Sequence, residues 1–179
     1  TRDMFEKLLK TLEDCKKSNT IRAIFLSGAG DAFSAGGDVK DMASREDNTS
    51  LQEKTQSLRR IMGVSELLYS LPIPTISIIN GPAAGAAFAI ALSCDMRIAT
   101  DNAKFVTAFS KIGFSGDFGG SFFLTKIVGT AKARELYYLS EMINAEEALK
   151  LGIVSNVIEK NTIDKLSLIH ISEPTRRTS

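Results

Sequence analysis

TISIINGPAAGAAFAIALSCDMRIAT, residues 75–100, is a short run of β-branched residues, a Gly-Pro step, a run of small and apolar residues, and a second short run. TISIIN (75–80) reads as a buried strand, because β-branched side chains suit a pleat covered on both faces. GPAAGAAFAIALSCD (81–95) reads as a central buried helix, apolar on all sides, with Pro82 in the first turn, where its missing N–H costs nothing. MRIAT (96–100) is the next strand. Working outward, IRAIFLSGAG (21–30) is expected to be a buried strand from Ile21 to Leu26 that stops at Gly28 and Gly30. Phe5, Leu8, Leu9 and Leu12 recur at helical spacing, as do Leu51, Leu58, Ile61, Met62, Ser65 and Leu68 before Pro72 and Pro74 end that pattern. Downstream come an extended AKFVTAF (103–109), helices around 118–128, 130–140 and 144–151, and the strand SNVIE (155–159). Strands alternating with helices predict an α/β fold, a largely parallel sheet covered by helices.

Composition bounds what such a fold can do. The chain has 179 residues, 44% of them hydrophobic, which suits one domain with a sizeable core. Lys plus Arg number 22 against 21 Asp plus Glu, so the net charge of +1 argues against nucleic acid or an anionic membrane as the main partner. Cys15 and Cys94 lie far apart and there is one histidine, which leaves disulfide frameworks, zinc sites and a Cys-His dyad short of parts. A reducing cytoplasm is the expected setting. Thr1 opens almost inside a helix, and ISEPTRRTS (171–179) has almost no apolar content. The expectation is therefore a core over 1–166, incomplete at both ends, with 167–179 a non-native tail.

The glycine loops exclude two common readings. GAGDAF (28–33) follows a strand, but a dinucleotide fingerprint needs Gly or Ala where Phe33 stands. No glycine loop ends in Gly-Lys-Ser/Thr, so a P-loop is absent as well.

Three segments occur together, however: FSAGGDVKDM (33–42), INGPAAGAAFAIALSCDMRIA (79–99) and AKFVTAFSKIGFSGDFGG (103–120). In order and spacing they resemble the enoyl-CoA hydratase/isomerase, or crotonase, family, from about Ile21 to Glu159. The resemblance implies a crotonase-like spiral of repeated β-β-α units. It also implies an acyl-CoA thioester as substrate, with coenzyme A part of that substrate and no metal or redox cofactor. Two backbone N–H groups would hold the enolate oxygen, those of Gly37 and Ala86, with Gly85 beside the second. A helix N-terminus suits that task, since its first N–H groups are unpaired and its dipole favours negative charge. By the same resemblance the backbone at Ala35 and Gly36 lines the adenine pocket, and Lys40 lies near the phosphates. Each has a plainer alternative: Asp38 caps a helix starting at Val39, Lys40 is a solvated lysine, and the small-residue helix serves packing alone.

Hydratases of the family use two glutamates, and this sequence has Ala89 and Phe109 at those positions. Neither can move a proton or hold a water through a charged hydrogen bond. The enoyl-CoA isomerase branch instead carries one acid in the loop matching GFSGDFGG (113–120), where Asp117 falls. One carboxylate suffices to shift a double bond, and Phe109, Phe114 and Phe118 are expected to wall it from water and raise its pKa. The alternative is that Asp117 merely caps the helix after it. The isomerase reading competes with hydration or another enolate-forming reaction, and with a non-catalytic acyl-CoA-binding or interaction subunit. The resemblance further implies a homotrimer, or a hexamer, for the full-length protein.

Overall fold

The computed structural model describes residues 1–37 and 50–162. Helix α1 (Arg2–Lys17) leads to strand β1 (Ile24–Ser27), helix α2 (Leu51–Ser70) to β2 (Thr75–Ile79), and β2 through the short β3 (Ala83–Ala84) to helix α3 (Ala86–Ser93). The same sequence of parts follows with β4 (Met96–Thr100), β5 (Lys104–Val106), a 3-10 turn at Phe109–Ile112 and helix α4 (Gly120–Val128). Helix α5 (Thr130–Leu139), β6 (Ile143–Asn144), α6 (Ala145–Lys150) and β7 (Asn156–Ile158) complete it. The long strands form one parallel sheet in the order β1-β2-β4-β7, and the short ones a second sheet, β3-β5-β6. β2 and β4 are each followed by a short strand in the other sheet and then a helix, the expected β-β-α unit, and after β1 a single bridge, Ser34 to Ala83, stands in the place of the short strand. Among the described residues no helix is long and apolar enough to cross a membrane.

β2 is buried at every position, as its β-branched run requires. β1 differs from expectation: it lies at the sheet edge and alternates, with Phe25 53% exposed. An edge strand covered on one face needs apolar residues only at every second position. The small-residue helix is shorter than expected, starting at Ala86, with Pro82 in the connection four residues earlier rather than in the first turn. Pro82 works there through its carbonyl, which accepts the N–H groups of Phe33 (3.1 Å) and Ser34 (3.2 Å).

α3 is apolar all round because it has a core on each side. Phe88, Ala91 and Leu92 join Ile79, Phe105 and Leu124 in one cluster; Ala86, Ala89 and Ile90 join Phe5, Leu9 and Phe118 in the other. Its alanines allow α4 to come close: a Cβ added at Gly120 would lie 2.9 Å from Ala89 Cβ. α2 begins where the sequence places it, with Ser50 and Glu53 forming a reciprocal capping box.

Candidate active site

Asn80 ends the buried strand β2 and turns its side chain back on the loop after β1. Its Nδ2 donates to the carbonyls of Gly28 (3.0 Å) and Gly30 (2.8 Å), and its Oδ1 accepts the Gly28 N–H (3.0 Å). A 5% exposed amide satisfied in this way rigidly joins two loops at the carboxyl end of the sheet. The Ala84 N–H then donates to Ser34 O (3.1 Å), and the Gly36 N–H to Ser34 Oγ (3.2 Å). Gly36 has φ +85°, and a Cβ there would stand 2.5 Å from Ala84 O and 3.3 Å from Ala86 N. Only glycine permits that conformation and that approach. The segment carrying Ala35, Gly36 and Gly37 therefore lies directly against the start of α3. Ala35 is exposed, Gly36 and Gly37 half-buried.

The start of α3 is open. Its N-cap, Gly85 (φ 54°, ψ −124°), has no side chain to take up an N–H, and the first bond of the helix runs from Ala89 N–H to Gly85 O (3.1 Å). The N–H groups of Ala86, Ala87 and Phe88 consequently have no acceptor within the helix, which is the arrangement that binds an anion. Of the expected donor segment, Gly36 is the residue seen against Ala84 and Ala86, with Gly37 next in the chain. Asp38 and Lys40 lie outside the described residues, as do residues 41–49.

Asp117 is not a helix cap. The N-cap of α4 is Gly119 in the left-handed region (φ 72°), so the helix starts later than the sequence suggested, and Asp117 contributes only its main-chain carbonyl, to Gly120 N–H (3.1 Å). Its Oδ1 is buried without a hydrogen-bond partner. Burial pushes the carboxyl up to about 6 from 3.8, with its own backbone N–H pulling weakly the other way. Phe118, beside it, is held at φ 48°, a conformation costing on the order of 1 kcal/mol or more for a non-glycine residue. Its ring is 2% exposed and packs on Phe5 at 5.0 Å between centroids.

Of the expected aromatic wall, Phe109 and Phe118 are buried, but Phe114 is 54% exposed. Its backbone N–H closes the turn onto Phe109 O (3.0 Å), which directs the side chain outward. The residue that takes up the wall is Tyr137 of α5, stacked on Phe109 at 6.3 Å and 6°. The Phe109 ring spans the site. A Cβ at Gly85 would meet its Cζ at 3.8 Å, and one at Gly116 its Cδ2 at 3.4 Å. One phenyl ring thus touches the glycine before the open N–H of Ala86 and the glycine before Asp117.

An apolar cavity of about 290 Å³ adjoins this place, lined by Met4, Phe5, Leu8, Phe33, Ser34 and Ala87 among others. A larger open groove of about 920 Å³ between α1 and α2 is lined by Lys16, Lys17, Arg59 and Arg60 with Glu13 and Glu66, and shares no residue with the acid or the open helix end. The cysteines add no chemistry here, since burial pushes the Cys94 thiol up to about 12.

The family model for enoyl-CoA hydratase/isomerase matches residues 1–173. The chain belongs to the enoyl-CoA hydratase/isomerase family. It is 35% identical over 162 residues to the trans-2-decenoyl-[acyl-carrier-protein] isomerase of Streptococcus mutans, covering 90% of this chain and 62% of that protein. It is equally 35% identical over 162 residues to the 1,2-epoxyphenylacetyl-CoA isomerase of Escherichia coli, with the same coverage. A probable enoyl-CoA hydratase of Bacillus subtilis is 37% identical over 155 residues, 85% of this chain and 58% of that one. Among solved structures, a putative enoyl-CoA hydratase from Streptomyces coelicolor superposes with TM-score 0.87 at 28% identity, over 95% of this chain and 62% of that one. The chain spans about three-fifths of the length of the curated relatives it matches. Among the described residues the site holds one acid with a buried, unpartnered oxygen, Asp117, and positions 89 and 109 are alanine and phenylalanine.

The family member's acid has a cost that can be measured. Asp117 keeps its proton to about pH 6 when folded but loses it near 3.8 when unfolded. The unfolded state is therefore favoured progressively as pH rises through that window, and the penalty is complete above about pH 6. The interval corresponds to about 3 kcal/mol, which solvent screening of a partly exposed group reduces to roughly 1–2 kcal/mol. Asp117→Asn is expected to raise the thermal midpoint by a few degrees at pH 7 and leave it unchanged below pH 4, as calorimetry at the two pH values will show.

Proposed function

We propose that this chain stabilises the enolate of an acyl-CoA thioester and uses Asp117 as a single base to shift a double bond, as an enoyl-CoA isomerase. The observation that carries the proposal is the pairing of a half-buried carboxylate, its Oδ1 buried without a partner, with an open helix N-terminus across the Phe109 ring. The carboxylate takes a proton from C2 of a 3-enoyl thioester. The charge released spreads over the thioester oxygen and C4, and the N–H groups of Ala86 and Gly37 receive the oxygen. That interaction strengthens as the charge develops, which is the condition for catalysis rather than tight ground-state binding. The protonated acid then returns its proton to C4, giving the conjugated 2-enoyl thioester with no other reactant consumed. An acid poised at about 6 can both take and return that proton near neutral pH.

The absence of glutamate at positions 89 and 109 favours isomerisation over hydration. Ala89 and Phe109 cannot orient a water through a charged hydrogen bond, and both are buried apolar residues. The cavity beside Ser34 and Ala87 suits the apolar part of a thioester arm. One relative is named for an acyl carrier protein thioester and another for a coenzyme A thioester; the FSAGGD motif resemblance favours coenzyme A here.

The test is product analysis by proton NMR. A 3-enoyl-CoA is expected to yield the 2-enoyl-CoA, at a rate rising with pH through about 6 and level above it. Offered the 2-enoyl-CoA, the protein is expected to give little 3-hydroxyacyl-CoA. Rapid hydration in place of isomerisation would contradict the proposal.

A further inference from the structure

Tyr137 belongs to no motif that pointed to the site, yet it packs on Phe109 and on the loop that carries Asp117. A Cβ at Gly116 would lie 3.1 Å from Tyr137 Cε1 and 3.6 Å from its Oη; one at Gly120 would lie 2.5 Å from Oη and 2.9 Å from Ala89 Cβ. The hydroxyl therefore stands beside Ala89, between the two glycines that bracket Asp117, while the ring lies parallel to Phe109. Those two neighbours, Ala89 and Phe109, hold the positions at which the hydratases carry their glutamates. Two polar atoms share this apolar place: Asp117 Oδ1 is buried without a partner, and Tyr137 Oη has no bond to another described residue. A buried acceptor without a donor is costly until one reaches it, directly or through a water, and the Tyr137 hydroxyl is a donor standing close by.

We propose that Tyr137 is a positioning residue for the base: its hydroxyl is the hydrogen-bond donor for the ionised Asp117 carboxylate, directly or through one water, and it sets the pH at which Asp117 becomes a base. The inference rests on the isomerase reading for its role in turnover, but the contact itself does not. The two groups already feel each other, since the Asp117 charge adds to burial in pushing the Tyr137 hydroxyl up to about 12, so it stays protonated as a donor must. Burial, not a charged neighbour among the described residues, is what raises the Asp117 carboxyl. α3 presents Ala86 and Ala89, α1 presents Phe5, and the 3-10 turn presents Phe109 with Lys111 exposed.

Removing a donor to the charged form raises a carboxyl pKa. Tyr137→Phe keeps the ring and its stacking and is expected to raise the Asp117 midpoint by about half to one pH unit, read by carbon NMR of labelled aspartate. Exchange of the C2 protons of an acyl-CoA is expected to fall about 3–10-fold at pH 5 and to stay within about twofold at pH 8, because only the base's ionised fraction changes. A tyrosine that merely fills space leaves both profiles in place, and unchanged midpoints overturn the proposal. A second readout needs no Tyr137 variant. The Cζ resonance of Tyr137 is expected to titrate with Asp117 in the unsubstituted protein and to be flat in Asp117→Asn; a flat response in both also overturns it. If Asp117→Asn retains exchange, the isomerase reading fails while these NMR titrations still decide the contact.

Discussion

Asp117→Asn is expected to lower turnover of a 3-enoyl-CoA by about 10²–10⁴-fold with thioester affinity nearly unchanged, the range that a positioned proton-transfer group contributes. Asparagine keeps the size of the side chain but can neither take the C2 proton nor return it. Affinity is spared because the thioester oxygen and the acyl chain meet other groups: the N–H groups at Gly37 and Ala86, and the apolar surface around Phe33 and Ala87. The substituted protein is also expected to be the more stable one at neutral pH, which calorimetry checks, so that lost activity is not to be ascribed to unfolding. Steady-state kinetics with a binding isotherm will separate the two quantities. Turnover within tenfold of the original would remove Asp117 from the chemistry.

Ala86→Pro is the second large effect, and it isolates a main-chain atom. Proline lacks the N–H but is well tolerated at the first position of a helix, which Ala86 occupies. Gly85, with φ 54° and ψ −124°, is in the mirror image of the extended conformation that residues before proline prefer, and glycine reaches it freely. The fold is therefore expected to survive, as circular dichroism can verify, while turnover falls about 10²–10³-fold, the effect of removing one oxyanion donor. Ala86→Gly retains the N–H and is expected to retain most activity. Equal losses in both variants would point to packing on α3 instead.

The parts of this account that the sequence discloses are those fixed by local chemistry. The β2-α3-β4 unit is legible because TISII, the small-residue run and MRIAT each allow one structure. So is the start of α2, where Ser50 and Glu53 make a capping box. Asp117 was ambiguous because an acid just ahead of a helix reads as a cap. What removes the ambiguity is the left-handed turn at Phe118 and Gly119, which starts α4 later and leaves the carboxyl buried. Its neighbours put Phe114 in the wall on sequence grounds, but the turn that its N–H closes onto Phe109 O sends it to the surface. Pro82 reads equally well as a helix start or as the connection it occupies. Asn80 and Tyr137 are not legible in the sequence because their partners are remote, 50 residues away for Asn80 and 17 to 28 for Tyr137, and helical or strand periodicity records only the face a residue shares. The one local signal for Asn80 is a polar side chain directly after a fully buried strand.

The most direct test of the central claim is exchange of the C2 protons of a saturated acyl-CoA in deuterium oxide, followed by NMR, for the protein and its Asp117→Asn form. A saturated chain has no double bond to move or hydrate, so the signal reports enolate formation alone. Exchange that rises with pH through about 6 and vanishes in Asp117→Asn is the predicted result. A folded protein that binds the thioester without exchanging those protons, or exchanges them equally well with asparagine at 117, would contradict the claim.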